Sequence, residues 1–412
     1  MNIIVKSSLI LAASTLLWGC EQPPQNTSES STAEAPPAET ASVQAQSAPA
    51  QLPETISVSG GQARGMRIGD DQAILTFKGI PYAAPPIGEQ RWAPPQPVAA
   101  WEGVKDTQKF SPDCLQAPSV EGFYSPAETE QSEDCLYLNV WTGAKTADEN
   151  RPVMVWIHGG AFIQGSGSNS RYDGEQFARS GVVLVTINYR LGLTGFFAHP
   201  ALTAASPNKA SGNYGLLDQI AALQWIKENI KAFGGDPNNV TIFGESAGSI
   251  SVCYMVTTPL AKGLFHKAIG QSGGCFARHA SLTSAEGVIV DTGLANQMNE
   301  SGHAIGLRLA ETLGVSGEEP AALEALRAMD AKEMVRKLHE AKVMAPWRSI
   351  FVDGYVYPDQ MRTLYTSGQC SQVDSIVGST SEEGSTLWMT LPEMDFAAWQ
   401  ESVTQTKGRH AE

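Results

Sequence analysis

The chain has 412 residues, of which 42% are hydrophobic, with 39 Gly and 24 Pro; that is enough for one large α/β domain or two ordinary ones. Its 28 Lys and Arg against 43 Asp and Glu leave a net charge of −15 and a pI near 5.0. No basic run is present to neutralise phosphates, which argues against a nucleic-acid partner, and the acidic balance otherwise marks a soluble globular chain.

Residues 1–19 carry Lys6 and an apolar run from Leu9 to Trp18. That run is too short to cross a bilayer and matches the hydrophobic part of a secretory signal. It ends in Leu17-Trp18-Gly19-Cys20, which resembles a bacterial lipobox, although Trp18 stands where a small residue is usual. Cleavage before Cys20 would make that cysteine the lipidated N-terminus, and several acyl chains would anchor the protein to a membrane. Glu21 rather than Asp follows, so the signal for inner-membrane retention in enteric bacteria is missing. The expected location is the bacterial cell envelope as an outer-membrane lipoprotein, with a periplasmic or secreted protein as the alternative. Residues 20–53 are rich in Pro, Ala, Gln, Glu, Ser and Thr, and no aromatic residue occurs until Phe77. Such a segment buries too little apolar surface to fold and reads as a flexible tether ahead of a catalytic domain over 54–412.

Ile56–Ile68 and Ala73–Ile80 alternate loosely around Gly-rich turns, as antiparallel edge strands do. Cys114 and Cys135 lie 21 positions apart, a candidate disulfide in an exported chain. Closing such a loop would contribute ~3 kcal/mol on the chain-entropy model. Val153–Ile157 is a continuous apolar run, the pattern of a parallel strand covered on both faces. It feeds His158-Gly159-Gly160-Ala161-Phe162, where two glycines after a central strand allow backbone N–H groups to turn inward as an oxyanion hole. Val182–Asn188 is a second buried-strand run. The helix expected from Leu216 to about Ala232 repeats Leu216, Ile220, Leu223, Ile226 and Ile230 at helical spacing, and Gly234-Gly235 stops it.

Val240–Phe243 then reads as a strand, Gly244-Glu245-Ser246-Ala247-Gly248 as a tight turn, and Ser249–Val256 as a helix. Strand, Gly-x-Ser-x-Gly and helix describe a nucleophile elbow, in which glycines flank a strained serine because strand and helix leave no room for side chains. Ser246 would stand at a helix N-terminus, where positive partial charge favours a developing anion. With the preceding Phe233–Val240, this run resembles the active-serine signature of type B carboxylesterases, the family of cholinesterases and several lipases. Lys78-Gly79-Ile80-Pro81-Tyr82-Ala83, Arg91-Trp92-Ala93-Pro94-Pro95 and Trp101-Glu102-Gly103 resemble the family's opening segment. Glu133–Trp141 resembles its second signature, whose cysteine, here Cys135, is usually bridged.

The resemblance implies an α/β-hydrolase fold, with a mostly parallel doubly wound central sheet and a helical cap. It further implies a serine ester hydrolase acting on a small-molecule ester, with no cofactor or metal. In the implied mechanism Ser246 is the nucleophile and Gly159, Gly160 and Ala247 donate to the oxyanion. Glu245 supports the site electrostatically, and His158 orients its loop. The resemblance also places the loop containing Phe123 and Tyr124 at the substrate gorge. Phe265–Gln271 continues the sheet, and the helical pattern over 303–342 fits the cap, or helices that merely pack. Cys253, Cys275 and Cys370 leave at least one thiol unpaired within the chain, and their sequence does not choose a pair.

Ile376-Val377-Gly378 would end a strand, and Ser381-Glu382-Glu383-Gly384 resembles the family's acid motif, in which the glutamate before the glycine, Glu383, is catalytic. The triad order in this fold is Ser, acid, His. Of seven histidines only His410 follows Glu383, and Ala411 and Glu412 after it do not supply the family's His-Gly motif. The expectation is therefore a chain truncated at its C-terminus, lacking the last strands and the catalytic histidine. Without a base the oxyanion hole alone would leave ~10³–10⁴ over water. A catalytically inactive cholinesterase-like binding protein is the competing reading, and a lipase for long acyl chains is a third.

Overall fold

The computed structural model describes residues 51–117, 129–276, 278–284, 300–341, 350–381 and 383. The lipobox with Cys20, the tether up to residue 50, Phe123 and Tyr124, Glu382 and His410 lie outside these residues. Among the described residues no helix is long and apolar enough to cross a membrane.

Eight strands form the central sheet: β1 (Met66–Ile68), β2 (Ile74–Pro81), β3 (Tyr137–Thr142), β4 (Arg151–Ile157), β5 (Val183–Ile187), β6 (Gly235–Glu245), β7 (Lys267–Gln271) and β8 (Asp374–Gly378). Their spatial order is β8-β7-β6-β4-β5-β3-β2-β1. The half from β8 to β5 is parallel and the half from β5 to β1 antiparallel. The parallel half is the doubly wound part expected from the apolar runs. Of the expected edge strands only Met66–Ile68 lies at the sheet edge; Ile74–Pro81 is paired on both sides, and Thr55–Val58 and Gly61–Arg64 form a separate small sheet with Val104–Asp106. Val153, Val155, Ile157, Val183, Val185 and Ile187 are all fully buried, because helices cover both faces of β4 and β5.

α1 (Tyr214–Asn229) is buried almost all round rather than on one stripe. Its polar residues tolerate this because each has a partner. Asp218 accepts from Arg190 Nε at 2.8 Å and Nη2 at 2.7 Å, Gln219 donates to Ser251 Oγ at 3.0 Å, and Asn229 Oδ1 accepts from Ser59 N at 2.7 Å. A short 3₁₀ turn extends the helix to Phe233, and Gly234 stops it with φ +79, as the sequence predicts. α2 (Ala247–Thr257) follows β6 and packs on it. The segment expected to be the cap forms α3 (Gly302–Thr312), α4 (Pro320–Ala328) and α5 (Ala331–Glu340). Leu309, Leu326 and Met334 from these helices close a second core with Trp92, Phe197 and Leu202.

Two disulfides cross-link the described residues. Cys114–Cys135 forms as expected, and Cys253 pairs with Cys275, leaving Cys370 free. β8 pairs on one side only among the described residues, and its Ile376 and Val377 are 67% and 73% exposed.

Candidate active site

One residue separates β6 from α2, and it is Ser246. Its φ of 54° and ψ of −120° lie where non-glycine residues rarely sit, a conformation costing ~1–3 kcal/mol that the surroundings must hold. Ser246 N donates to Gln271 O at 2.9 Å, and Ile250 N donates to Ser246 O at 3.0 Å. The flanking glycines are a steric necessity. A Cβ on Gly244 would lie 2.6 Å from Ile157 O, and one on Gly248 only 2.0 Å from the same atom. β4, β6 and α2 thus meet backbone to backbone, which pushes the serine outward. Its side chain makes no capping bond to α2 and is half-buried.

The strand-end loop of β4 lies directly against this turn. A Cβ on Gly159 would sit 3.3 Å from Ser246 Cβ and 2.7 Å from Glu245 O. Gly160, Ala161 and Phe162 have φ of +107°, +55° and +61°, a left-handed run that redirects successive amides. The amides of Gly159, Gly160 and Ala161 have no acceptor among the described residues, and Ala247 N is the first amide of α2, where helical geometry provides none. His158 is buried behind the loop. Its ring stacks on Tyr189 at 4.4 Å, Nδ1 donates to Gly159 O at 2.8 Å, and Tyr189 Oη donates to His158 O at 2.8 Å. Burial holds its imidazole down at about 4, so at neutral pH it is an uncharged brace for the loop.

Glu383 lies beyond the end of β8, as the sequence places it. Ser272, at the end of β7, donates through Oγ to Glu383 Oε1, and Thr380 N donates to the same oxygen at 2.8 Å. These donors, Ser272 first, hold the Glu383 carboxyl below its ordinary range. Glu245 shifts the other way: partial burial raises it, and the nearby charge of Glu383 adds to the effect. The register explains the convergence, since Glu245 on β6 pairs with Gln271 on β7, which pairs with Gly378 on β8. Ser272 is the residue sequence reading misses. The available signal was a small polar residue ending the strand next to the elbow strand, a weak cue without the sheet order.

The described histidines do not complete a triad. His199 Nδ1 accepts from Ala201 N, His266 Nδ1 accepts from Val240 N, His279 Nε2 meets Tyr254 Oη and His303 Nε2 meets Thr203 Oγ1. His339 is exposed on α5. None of them hydrogen-bonds to Ser246 or Glu383.

A doubly wound sheet with a strained serine between a central strand and its helix is the arrangement of an α/β-hydrolase, and the chain belongs to the carboxylesterase family, whose model matches residues 53–409. It is 39% identical over 358 residues to the fumonisin B1 esterase of Sphingopyxis macrogoltabida, covering 84% of this chain and 59% of that protein. Over 340 residues it is 37% identical to the para-nitrobenzyl esterase of Bacillus subtilis strain 168, covering 80% of this chain and 63% of that one. Among solved structures, the Geobacillus stearothermophilus carboxylesterase EST55 superposes with a TM-score of 0.73 at 35% identity, covering 86% of this chain and 68% of that chain. The chain spans about three fifths of the length of these curated relatives.

Proposed function

We propose that the protein is a serine carboxylic ester hydrolase. Ser246 Oγ attacks the ester carbonyl, and the oxyanion that forms is held by the N–H groups of Gly159, Gly160 and Ala247 together with the positive end of α2. The acyl-enzyme then releases its acid to water. Glu383, kept ionised by Ser272 and Thr380, would serve as the acid that orients an imidazole base, a base that none of the described histidines supplies. Glu245, half-buried beside Gly159, adds negative potential behind the serine. The observation that carries this reading is the pairing of a strained Ser246 with a left-handed glycine loop whose Gly159 and Gly160 amides have no acceptor among the described residues. The N-terminal sequence supports export and lipidation at Cys20, so the substrate would be a small ester met in the cell envelope.

The test is hydrolysis of a short-chain nitrophenyl ester by residues 21–412, compared with the Ser246→Ala variant. The expected result is a burst near one nitrophenol per chain, absent in the variant. Identical progress curves from two folded proteins would overturn the proposal.

A further inference from the structure

Two sulfurs lie beside the candidate site without belonging to its chemistry. Cys253 is buried on α2, the helix that presents Ser246, and Cys275 lies in the loop that leaves β7. Their Cα atoms are 5.6 Å apart and the side chains form a disulfide, a separation a bridge spans without moving the backbone. The bridged loop is the one that holds Glu383. Ser272 contacts Glu383 through Oγ, its amide donates to Gly378 O at 2.7 Å, and its φ of +55° is left-handed. Gly273 follows so close to α2 that a Cβ there would lie 2.5 Å from Ser249 Cβ and 2.8 Å from Ser246 O. Beyond Cys275 the chain reaches the surface, with Phe276 55% exposed. A strained, close-packed turn leading straight to an exposed residue needs a tether at its far end, and the disulfide is at that point.

We infer that the Cys253–Cys275 bridge is a positioning device, fixing the Ser272 loop, and through it Glu383, against the helix that presents Ser246. The two cysteines touch no reacting atom; they act through Ser272 and Gly273. The effect on turnover rests on the ester-hydrolase proposal, whereas the effect on the loop does not. The other disulfide supplies a matched control. Cys114–Cys135 and Cys253–Cys275 have sequence separations of 21 and 22, so on the chain-entropy model removing either costs a similar amount of stability. A purely stabilising bridge predicts equal consequences for the two deletions. A positioning bridge predicts different ones.

The experiment compares the full chain with its C253A/C275A and C114A/C135A variants by amide hydrogen exchange and by nitrophenyl ester kinetics. Both variants should lose similar thermal stability. Exchange over Gly270–Phe276 should rise about ten-fold or more in C253A/C275A alone. In that variant kcat should fall by about ten- to a hundred-fold while KM stays within about two-fold, because acid and nucleophile lose register rather than substrate contacts. Should C253A/C275A fail to fold, Cys275→Ser retains the buried Cys253 side chain and is read the same way. Equal exchange over the loop in both variants would overturn the inference, as would non-reducing peptide mapping that finds Cys253 unpaired or joined to Cys370. If no form shows Ser246-dependent turnover, the hydrolase proposal fails, and the exchange comparison alone decides the positioning role.

Discussion

Mild acid should destabilise this protein through its buried histidines. Burial holds His158 and His279 down from 6.5 to about 4, outweighing the backbone hydrogen bonds that pull them up. His199, His266 and His303 are lowered as well, each chiefly by desolvation. The folded chain therefore prefers neutral imidazoles, and the unfolded chain takes up protons first as pH falls. Stability contributed by these groups is complete above their unfolded value near 6.5 and is lost as pH drops towards about 4. At about pH 5, His158 and His279 each cost about 2 kcal/mol, and the ~4 kcal/mol together is a large share of the 5–15 typical of a folded protein. The lowered carboxylates Asp71, Glu149, Glu333 and Glu383 begin to protonate only below their ordinary range, whereas the partly buried Glu245 and Asp353, raised chiefly by desolvation, take up protons earlier in the folded chain and offset part of the histidine effect. Loss of net negative charge as pH falls also works against the histidine effect by easing self-repulsion. The assay is urea unfolding at several pH values for the parent and for His279→Gln, chosen because glutamine can still bond Tyr254 Oη, 2.8 Å from His279 Nε2. The variant starts less stable at neutral pH but should lose about 2 kcal/mol less than the parent on going to about pH 5. Equal losses in parent and variant would refute the assignment of acid sensitivity to buried imidazole.

Three further predictions concern the scaffold. Gly248→Ala places a Cβ 2.0 Å from Ile157 O; it should cost about 3 kcal/mol or more and abolish labelling of Ser246 by a fluorophosphonate, checked by thermal unfolding and mass spectrometry. Asp218→Ala strands the Arg190 guanidinium, whose side chain is 2% exposed, and should cost about 3–5 kcal/mol by chemical denaturation; the double variant Arg190→Met with Asp218→Leu should cost much less. Ile376→Lys with Val377→Lys puts charge on β8, which pairs on one side only among the described residues and where the two side chains are 67% and 73% exposed. It should reduce concentration-dependent association in sedimentation velocity without lowering the unfolding midpoint, and unchanged association would refute a role for that strand.

The sequence by itself determined the elements whose cause is local. Continuous apolar runs marked β4 and β5, and glycine spacing around Ser246 marked a strained turn, because sterics between adjacent residues act whatever lies far away. The positions of Gly159, Gly160 and Ala247 at a strand end or helix start were readable from their own neighbours, whereas Glu383 was legible only through resemblance to a family motif beyond a strand end. Tyr137–Thr142 was legible only as a motif, and its place as β3, where the sheet turns antiparallel, depends on partners far along the chain. The choice of Cys253 and Cys275 over Cys370, the bond from Ser272 to Glu383, and the burial of Arg190 with Asp218 belong to tertiary structure alone. Each depends on which surfaces come together across many residues. A side chain's charge state, cross-link or strain is set by neighbours that only the packed sheet and helices supply.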